Sequence, residues 1–400
     1  VTWCWPSDQI KGQYQEWRAQ IRGALFAAEP WPPLEATTHG LFNPEPGVVA
    51  ERVTYQTHYG LRVPAILYRP ANHSGKGPGL VVVNGHGGDK FAWYAFYAGV
   101  MYARAGAVVL TYDPIGEGER HIEMKSGTRA HDVIQEPEEL GRRMGGLMMT
   151  DVHQAVSYLA TRPEVDPARL GAMGYSMGSF VLSLACAVET RLKACVLVGG
   201  GNLDGPGEYW DTSKQMCQGQ PYKALTFLGD RAAKVYALHA DRGSTLIFNG
   251  TEDNILQPQR RDPFRYFQEL RERVRTLRAR ELDLFDTGYE DRVGHRPFFV
   301  TRPVVLWVER KLDLPAWTAG EIEAMGTTHI GTWAGRHGIE MDTLYATEHR
   351  EAGTRALGEN MPGFRRQTLR VLPPEEWERS KGELIYESWL ERARAEMSTR

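Results

Sequence analysis

Gly174-Tyr175-Ser176-Met177-Gly178 is a G-x-S-x-G pattern, and its flanks say as much as the pentapeptide itself. Leu170 to Met173 read as a short buried strand and Ser179 to Ala187 as an apolar helix. A serine held on such a strand-to-helix turn has strained backbone angles and points its hydroxyl away from the sheet. The flanking glycines are needed because a Cβ there would collide with the neighbouring turn. A serine hydroxyl is a poor nucleophile near neutral pH. It needs a base within hydrogen-bond reach, and that base needs an orienting carboxylate.

Both partners are available later in the chain, in the order acid then histidine. Phe248-Asn249-Gly250-Thr251-Glu252-Asp253 closes an apolar strand with a turn carrying two acids, Asp253 and Glu252, and Asp204 is a third candidate after the preceding strand. Of the twelve histidines, His295 stands out by its Gly294-His295 setting just before a helix. The attacked carbonyl also requires donors for its developing charge. One is expected at the backbone N–H of Met177, directly after the serine at a helix N-terminus. The second should come from Asn84-Gly85-His86-Gly87-Gly88, with Gly88 the first choice and Gly87 the second.

Other chemistries find less support. Gly85-x-Gly87-Gly88 and Gly116-x-Gly118 lack the spacing of a dinucleotide fingerprint, and no P-loop Gly-Lys-Ser/Thr occurs. No H-E-x-x-H or cysteine–histidine ligand spacing appears, so neither a metal nor another cofactor is expected. Tyr209, Trp210 and Tyr222 could stack on a sugar ring, although packing in a core or lid is the stronger expectation for each.

These residues need a scaffold. Ser7 to Ala27 reads as an N-terminal helix with Ile10, Tyr14, Trp17, Ile21 and Leu25 on one face, followed by a proline-rich connector from Pro30 to Pro46. Val48–Thr57 and Leu61–Tyr68 suggest an antiparallel hairpin at a sheet edge. From Gly79 continuous apolar strands alternate with helices: Leu80–Asn84 then Trp93–Ala105, Val108–Tyr112 then Met148–Leu159, Leu170–Met173 then Phe180–Ala187. Ala194–Val198, Thr245–Asn249 and Leu282–Phe285 supply further strands, and Arg260–Leu277 and Phe298–Lys311 further helices. Alternation of this kind predicts an α/β fold with a mostly parallel central sheet and helices on both faces. The stretch from Gly199 to Gly243 breaks the rhythm and is expected to be a lid-like insertion at the carboxyl edge of the strands. The organisation expected is an N-terminal arm and connector (1–47), a catalytic domain (48–312, insertion about 199–243) and a C-terminal extension packed on the core (313–400).

Composition bounds the partners. Of 400 residues 42% are hydrophobic and 24% charged, with a formal net charge of −3, which excludes a polyanion-binding class and leaves no nucleic-acid partner in view. No apolar run approaches a membrane span. The chain starts at Val1, and its compartment stays open with a lean toward export, secreted or periplasmic. Cys186 and Cys195 lie on an apolar helix and strand, where a free buried thiol is the commoner state. A Cys4–Cys217 pair is conceivable.

At family level the chain resembles α/β-hydrolases of the acetyl xylan esterase and dienelactone-hydrolase-like group, including cephalosporin deacetylase-type enzymes. The matching stretches are Val83 to Gly88, Tyr112-Asp113-Pro114-Ile115-Gly116-Glu117-Gly118-Glu119, Arg162-Pro163-Glu164-Val165-Asp166-Pro167, the serine turn, Asn249 to Asp253, and Gly294-His295. Together they run from about Val48 to Lys311. The resemblance favours Asp253 as the acid, since a glycine followed three residues later by aspartate matches that superfamily's acid turn. It implies carboxylic-ester hydrolysis, often removal of small acyl groups from carbohydrate, with a small-molecule or carbohydrate ester as substrate. Ser179, where many relatives have a glycine, and the long terminal additions depart from the pattern. The rival readings are a serine peptidase of the prolyl-oligopeptidase kind, usually preceded by propeller repeats not found before Val48, and a non-catalytic carbohydrate-binding protein on the same fold.

Overall fold

The computed structural model describes residues 7–72, 75–133, 138–204, 209–212, 217–253, 255–256, 262–277, 285–339 and 354–399. Nine strands form one sheet: β1 (Thr37–Glu45), β2 (Val48–Gln56), β3 (Arg62–Pro70), β4 (Gly77–Val83), β5 (Val108–Tyr112), β6 (Val165–Tyr175), β7 (Leu192–Val198), β8 (Ser244–Gly250) and β9 (Asp286–Glu290). Their order is β1-β2-β3-β5-β4-β6-β7-β8-β9. The first three are antiparallel, β3 joins β5 antiparallel, and every pair from β5 to β9 is parallel.

The parallel strands are apolar on both faces because both faces are covered. Val81 and Val83 point into one core with α1 (Ser7–Ala24), α3 (Glu138–Thr161) and α4 (Met177–Val188). Leu80 and Val82 point into the other, with α2 (Trp93–Arg104). Tyr14, Trp17 and Ile21 are buried along the expected face of α1, and Leu25 is buried just after it.

Three expectations need correction, and a fourth, the strand at Leu282–Phe285, falls mostly outside the described residues. The proline-rich connector contains a strand, β1, which covers the β2–β3 hairpin and becomes the sheet edge itself. Register breaks at Thr38/Gly40 and Phe42/Glu45 let this edge strand accommodate Gly40 and Pro44. At the opposite edge, residues 282–284 lie outside the described residues, and the strand that joins the sheet is β9, a half-buried Asp-Thr-Gly-Tyr-Glu. The segment 199–243 is less of an insertion than expected. After α5 (Tyr209–Thr212) and α6 (Gly219–Lys223), its last part is α7 (Arg231–Arg242), the crossover helix between β7 and β8. His239 of α7 lies 2.7 Å from the Ser183 carbonyl of α4. Finally, Cys186 and Cys195 are joined as a disulfide instead of being free, because the turn after α4 brings β7 back beside it. Cys4 is outside the described residues, and Cys217 is a free, buried thiol.

The cover of the two faces is completed by α8 (Pro263–Leu277), in the first core, and α9 (Arg302–Leu312), in the second. Beyond α9 the chain continues through a two-strand ribbon (Thr327–His329 with Arg355–Leu357) and ends in a helix at Tyr386–Ser398. No helix among the described residues is long and apolar enough to cross a membrane.

Candidate active site

Ser176 occupies the turn between β6 and α4 with φ 53° and ψ −115°, a backbone conformation a β-carbon normally avoids. Neighbouring chain holds it there. Ser176 N–H donates to the Val198 carbonyl at 2.9 Å, and the Ser176 carbonyl accepts from Phe180 N–H at 3.1 Å. A Cβ on Gly178 would lie 2.3 Å from the Val83 carbonyl oxygen, so only glycine lets α4 start against the end of β4. The N–H of Met177 opens the helix, where no carbonyl of the preceding turn is available to it.

Asp253 and His295 meet across the ends of β8 and β9. His295 Nδ1 is 2.6 Å from Asp253 Oδ2. The approach needs Gly250, since a Cβ there would lie 2.0 Å from the Val293 carbonyl of the histidine loop. Glu252 N–H donates to that carbonyl at 3.0 Å, leaving the Glu252 side chain exposed and the Asp253 side chain buried. Asp204, the third acid candidate, instead accepts the Trp210 backbone N–H at 3.2 Å.

With Nδ1–H donated to the carboxylate, the other nitrogen of His295 carries the lone pair. That Nε2 is buried and has no hydrogen-bond partner among the described residues. The imidazole packs on the ring of Tyr175 at 5.0 Å between centroids and against Gly199, two residues that flank the Ser176 turn in space. The Tyr175 hydroxyl donates to the His295 carbonyl at 3.2 Å.

A pocket of about 30 Å³ opens beside the serine, lined by His86, Ser176, Met177, Phe180, Trp210 and Leu256 among others. Trp210 is buried, its ring 4.1 Å from that of Phe180 and its Nε1–H donated to the Asn202 carbonyl at 3.1 Å. The side chain of Tyr209 lies outside the described residues. Tyr222 is core: it is fully buried, with Arg231 4.1 Å above its ring.

The glycine loop differs in detail from the expectation. Gly88 N–H is donated to the Gly85 carbonyl at 3.0 Å, closing a turn with Gly87 at φ 73°. Gly88 therefore has its donor occupied, whereas no hydrogen bond from Gly87 N–H is found among the described residues. The Asp-Pro-x-Gly-Glu-Gly-Glu stretch after β5 supports this loop. Asp113 accepts Lys90 N–H at 3.1 Å and Glu119 N–H at 2.8 Å, and Lys90 Nζ bridges Asp113 and Glu119 with all three side chains fully buried.

Comparison with known structures places this architecture. Acetyl xylan esterase 1 from Thermoanaerobacterium sp. superposes with TM-score 0.50 and 16% identity over 78% of this chain and all of that one. Methylesterase BT1017 superposes with TM-score 0.53 and 17% identity over 80% of this chain and 70% of that one. The chain has the α/β-hydrolase fold. Within it, residues 94–283 match the prolyl oligopeptidase family. Sequence relatives include YtaP of Bacillus subtilis, 27% identical over 37% of this chain and 55% of that protein. A thiohydrolase, apmlB of Arthrinium phaeospermum, is 26% identical over 40% of this chain and 47% of that one. The chain thus spans about half the length of these curated relatives.

In α/β-hydrolases the ends of successive strands face one crevice, and here they deliver the Gly85–Gly88 loop, Ser176, Gly199, Asp253 and His295 to the same sheet edge. Sequence reasoning missed one group at that edge. His86, His131, Asp132 and Cys217 converge beside the pocket although 131 positions separate the first from the last. The adjacent His131-Asp132 pair was the sole local signal.

Proposed function

We propose that this chain is a serine hydrolase of carboxylic esters that works through an acyl-enzyme, with residues 48–312 as its catalytic domain. The observation that carries this reading is the His295–Asp253 contact of 2.6 Å, which leaves a buried Nε2, without a partner among the described residues, beside the Ser176 turn. In the proposed cycle Ser176 Oγ attacks the ester carbonyl while His295 Nε2 takes its proton, and Asp253 stabilises the imidazolium. The oxyanion receives the N–H groups of Met177 and, in place of Gly88, Gly87. Collapse expels the alcohol with the proton from His295, and water resolves the acyl-enzyme by the same steps. The Ser176–His295 hydrogen bond then forms on substrate binding, as catalytic contacts often tighten only in the complex.

The small pocket walled by Met177, Phe180, Trp210 and Leu256 supports a small acyl group such as acetyl. The acetyl xylan esterase among the structural neighbours supports an esterified carbohydrate as its carrier. The match to the prolyl oligopeptidase family favours one alternative, a peptidase that uses the same residues. Parallel assays with p-nitrophenyl acetate, acetylated sugars, methyl uronates and an aminoacyl anilide decide between them: turnover of the anilide alone would replace the esterase reading. Ser176→Ala is expected to lower kcat by roughly 10⁴- to 10⁶-fold and to abolish fluorophosphonate labelling with the fold unchanged. Retention of the parental rate in that variant removes the proposal.

A further inference from the structure

Three loops bring four metal-ligating side chains together beside the pocket: His86 after β4, His131 and Asp132 before α3, and Cys217 between β7 and β8. One ligand atom of each lies within 4.8 Å of all the others. His86 Nε2 is 3.0 Å from Asp132 Oδ1 and 3.5 Å from Cys217 Sγ. We propose that this set binds one divalent transition-metal ion of the Zn²⁺ type. The proposal does not depend on any role for Ser176.

His131 supplies the decisive detail. Its Nδ1 sits 3.0 Å from the Ile115 carbonyl, so Nδ1 carries the proton and Nε2 the lone pair. That Nε2 is fully buried and no group among the described residues donates to it. A buried acceptor left without a donor is destabilising, whereas a bound cation would use the lone pair directly. A ring N–H donated to a backbone carbonyl is also how metal-ligating histidines are held in the required tautomer. Arg129 Nε, 3.1 Å from Asp132 Oδ2, occupies one carboxylate oxygen and leaves Oδ1 turned toward His86 and Cys217. Cys217 backbone N–H donates to Oδ1 at 3.1 Å, which fixes the thiol beside it.

Two imidazoles, a thiol and a carboxylate are the donor mixture that suits Zn²⁺, while Mg²⁺ and Ca²⁺ favour oxygen alone. A thiolate and a carboxylate offset the two charges of the ion. A second nucleophilic triad is the obvious rival reading of Cys217, His86 and Asp132. The geometry opposes it, because thiol and carboxylate approach the same nitrogen of His86 and the ring cannot relay a proton between them. Four protein donors leave no open coordination position, so the ion acts as a clip. It would tie the glycine loop to the connection that carries Cys217 and Gln218, and the two reach the pocket through His86 and Gln218 respectively.

The test uses the full chain, dialysed against chelator and titrated with Co²⁺ or Zn²⁺ alone. Expected are one ion per chain by elemental analysis, visible bands of four-coordinate Co²⁺ and a near-ultraviolet thiolate-to-Co²⁺ charge-transfer band. Cys217→Ser should lose the charge-transfer band. His131→Ala should weaken Co²⁺ by more than the roughly 10- to 100-fold that follows loss of an outer partner. Circular dichroism checks that both variants fold, and the near-isosteric serine variant keeps the test decisive if the alanine variant does not. Substoichiometric binding, Co²⁺ bound without a sulfur band, or unchanged affinity in folded variants would each overturn the proposal.

Discussion

Asp253 has its carboxyl below the usual carboxylate range. Burial alone would raise it, but the charge of His295, the hydrogen bond to it and the N–H groups of Ile255 and Leu256 outweigh that penalty. The group is thus held ionised where it can fix the His295 tautomer. Asp253→Asn keeps the shape and reverses the proton at Nδ1, so kcat is expected to fall about 10⁴-fold with little change in the melting temperature. Steady-state kinetics and a thermal melt on one preparation measure both. Glu189 makes a pH-dependent prediction away from the site. Burial pushes its pKa up, yet hydrogen bonds from Arg191 and His153 bring it down from 4.5 to about 2. Burial also lowers the His153 pKa, which leaves Arg191 as the lasting positive charge above that value. A depressed carboxyl stabilises fully above its unfolded value and loses that contribution as pH falls through the folded one. Glu189→Gln should therefore cost roughly 2 kcal/mol at neutral pH, with the gap closing between pH 4.5 and about 2 in urea denaturation.

The element that organises the site is the turn from β6 into α4. Its position depends on backbone contact, not on side-chain packing, since Gly178 lies against the carbonyls of Val83 and Asn84. Gly178→Ala puts a methyl 2.3 Å from the first and 2.6 Å from the second. The β4 end and α4 must then separate, at an expected cost of about 3 kcal/mol. Chemical denaturation should show the loss, and it should far exceed that of Gly335→Ala, where the added carbon meets nothing within 4 Å. The buried strands around this turn were legible from their continuous apolar runs, and β5 spans Val108–Tyr112 as read from sequence. The outer strands were not. β1 and β9 have one side to solvent and carry Gly, Pro, Asp and Glu, so no apolar run announces them.

Over the whole molecule, the C-terminal segment reaches both faces of the sheet. Trp333 and Trp377 are buried in the α2 and α9 core, and Trp389 in the α1 and α3 core. The segment is also tied to the site's support. Glu119 accepts Val371 and Leu372 N–H at 2.9 Å each, and its carbonyl accepts Trp377 Nε1–H at 2.9 Å. That same Glu119 closes the ion cluster with Lys90 beneath the glycine loop. Trp377→Ala removes a large buried ring and this donor together. A loss of about 3–5 kcal/mol is expected in denaturation experiments, with activity at low temperature falling less than stability.

The sequence by itself determined the alternation of strand and helix, the serine turn and, after it, an acid-bearing turn followed by a Gly-His pair, because these depend on local spacing and on apolar runs within single elements. It left Asp253, Glu252 and Asp204 as candidate acids and could not choose by residue chemistry alone: Asp253 and Glu252 differ in which way one turn aims them. It favoured Gly88 as a donor, whereas the Gly88 N–H closes a turn on the Gly85 carbonyl, which is why the proposed cycle uses Gly87. The Cys186–Cys195 bond, the convergence of His86, His131, Asp132 and Cys217, and the reach of the last helix across the sheet were decided only by the tertiary structure. Each joins residues whose local patterns are independent, and only folding fixes the distance between them.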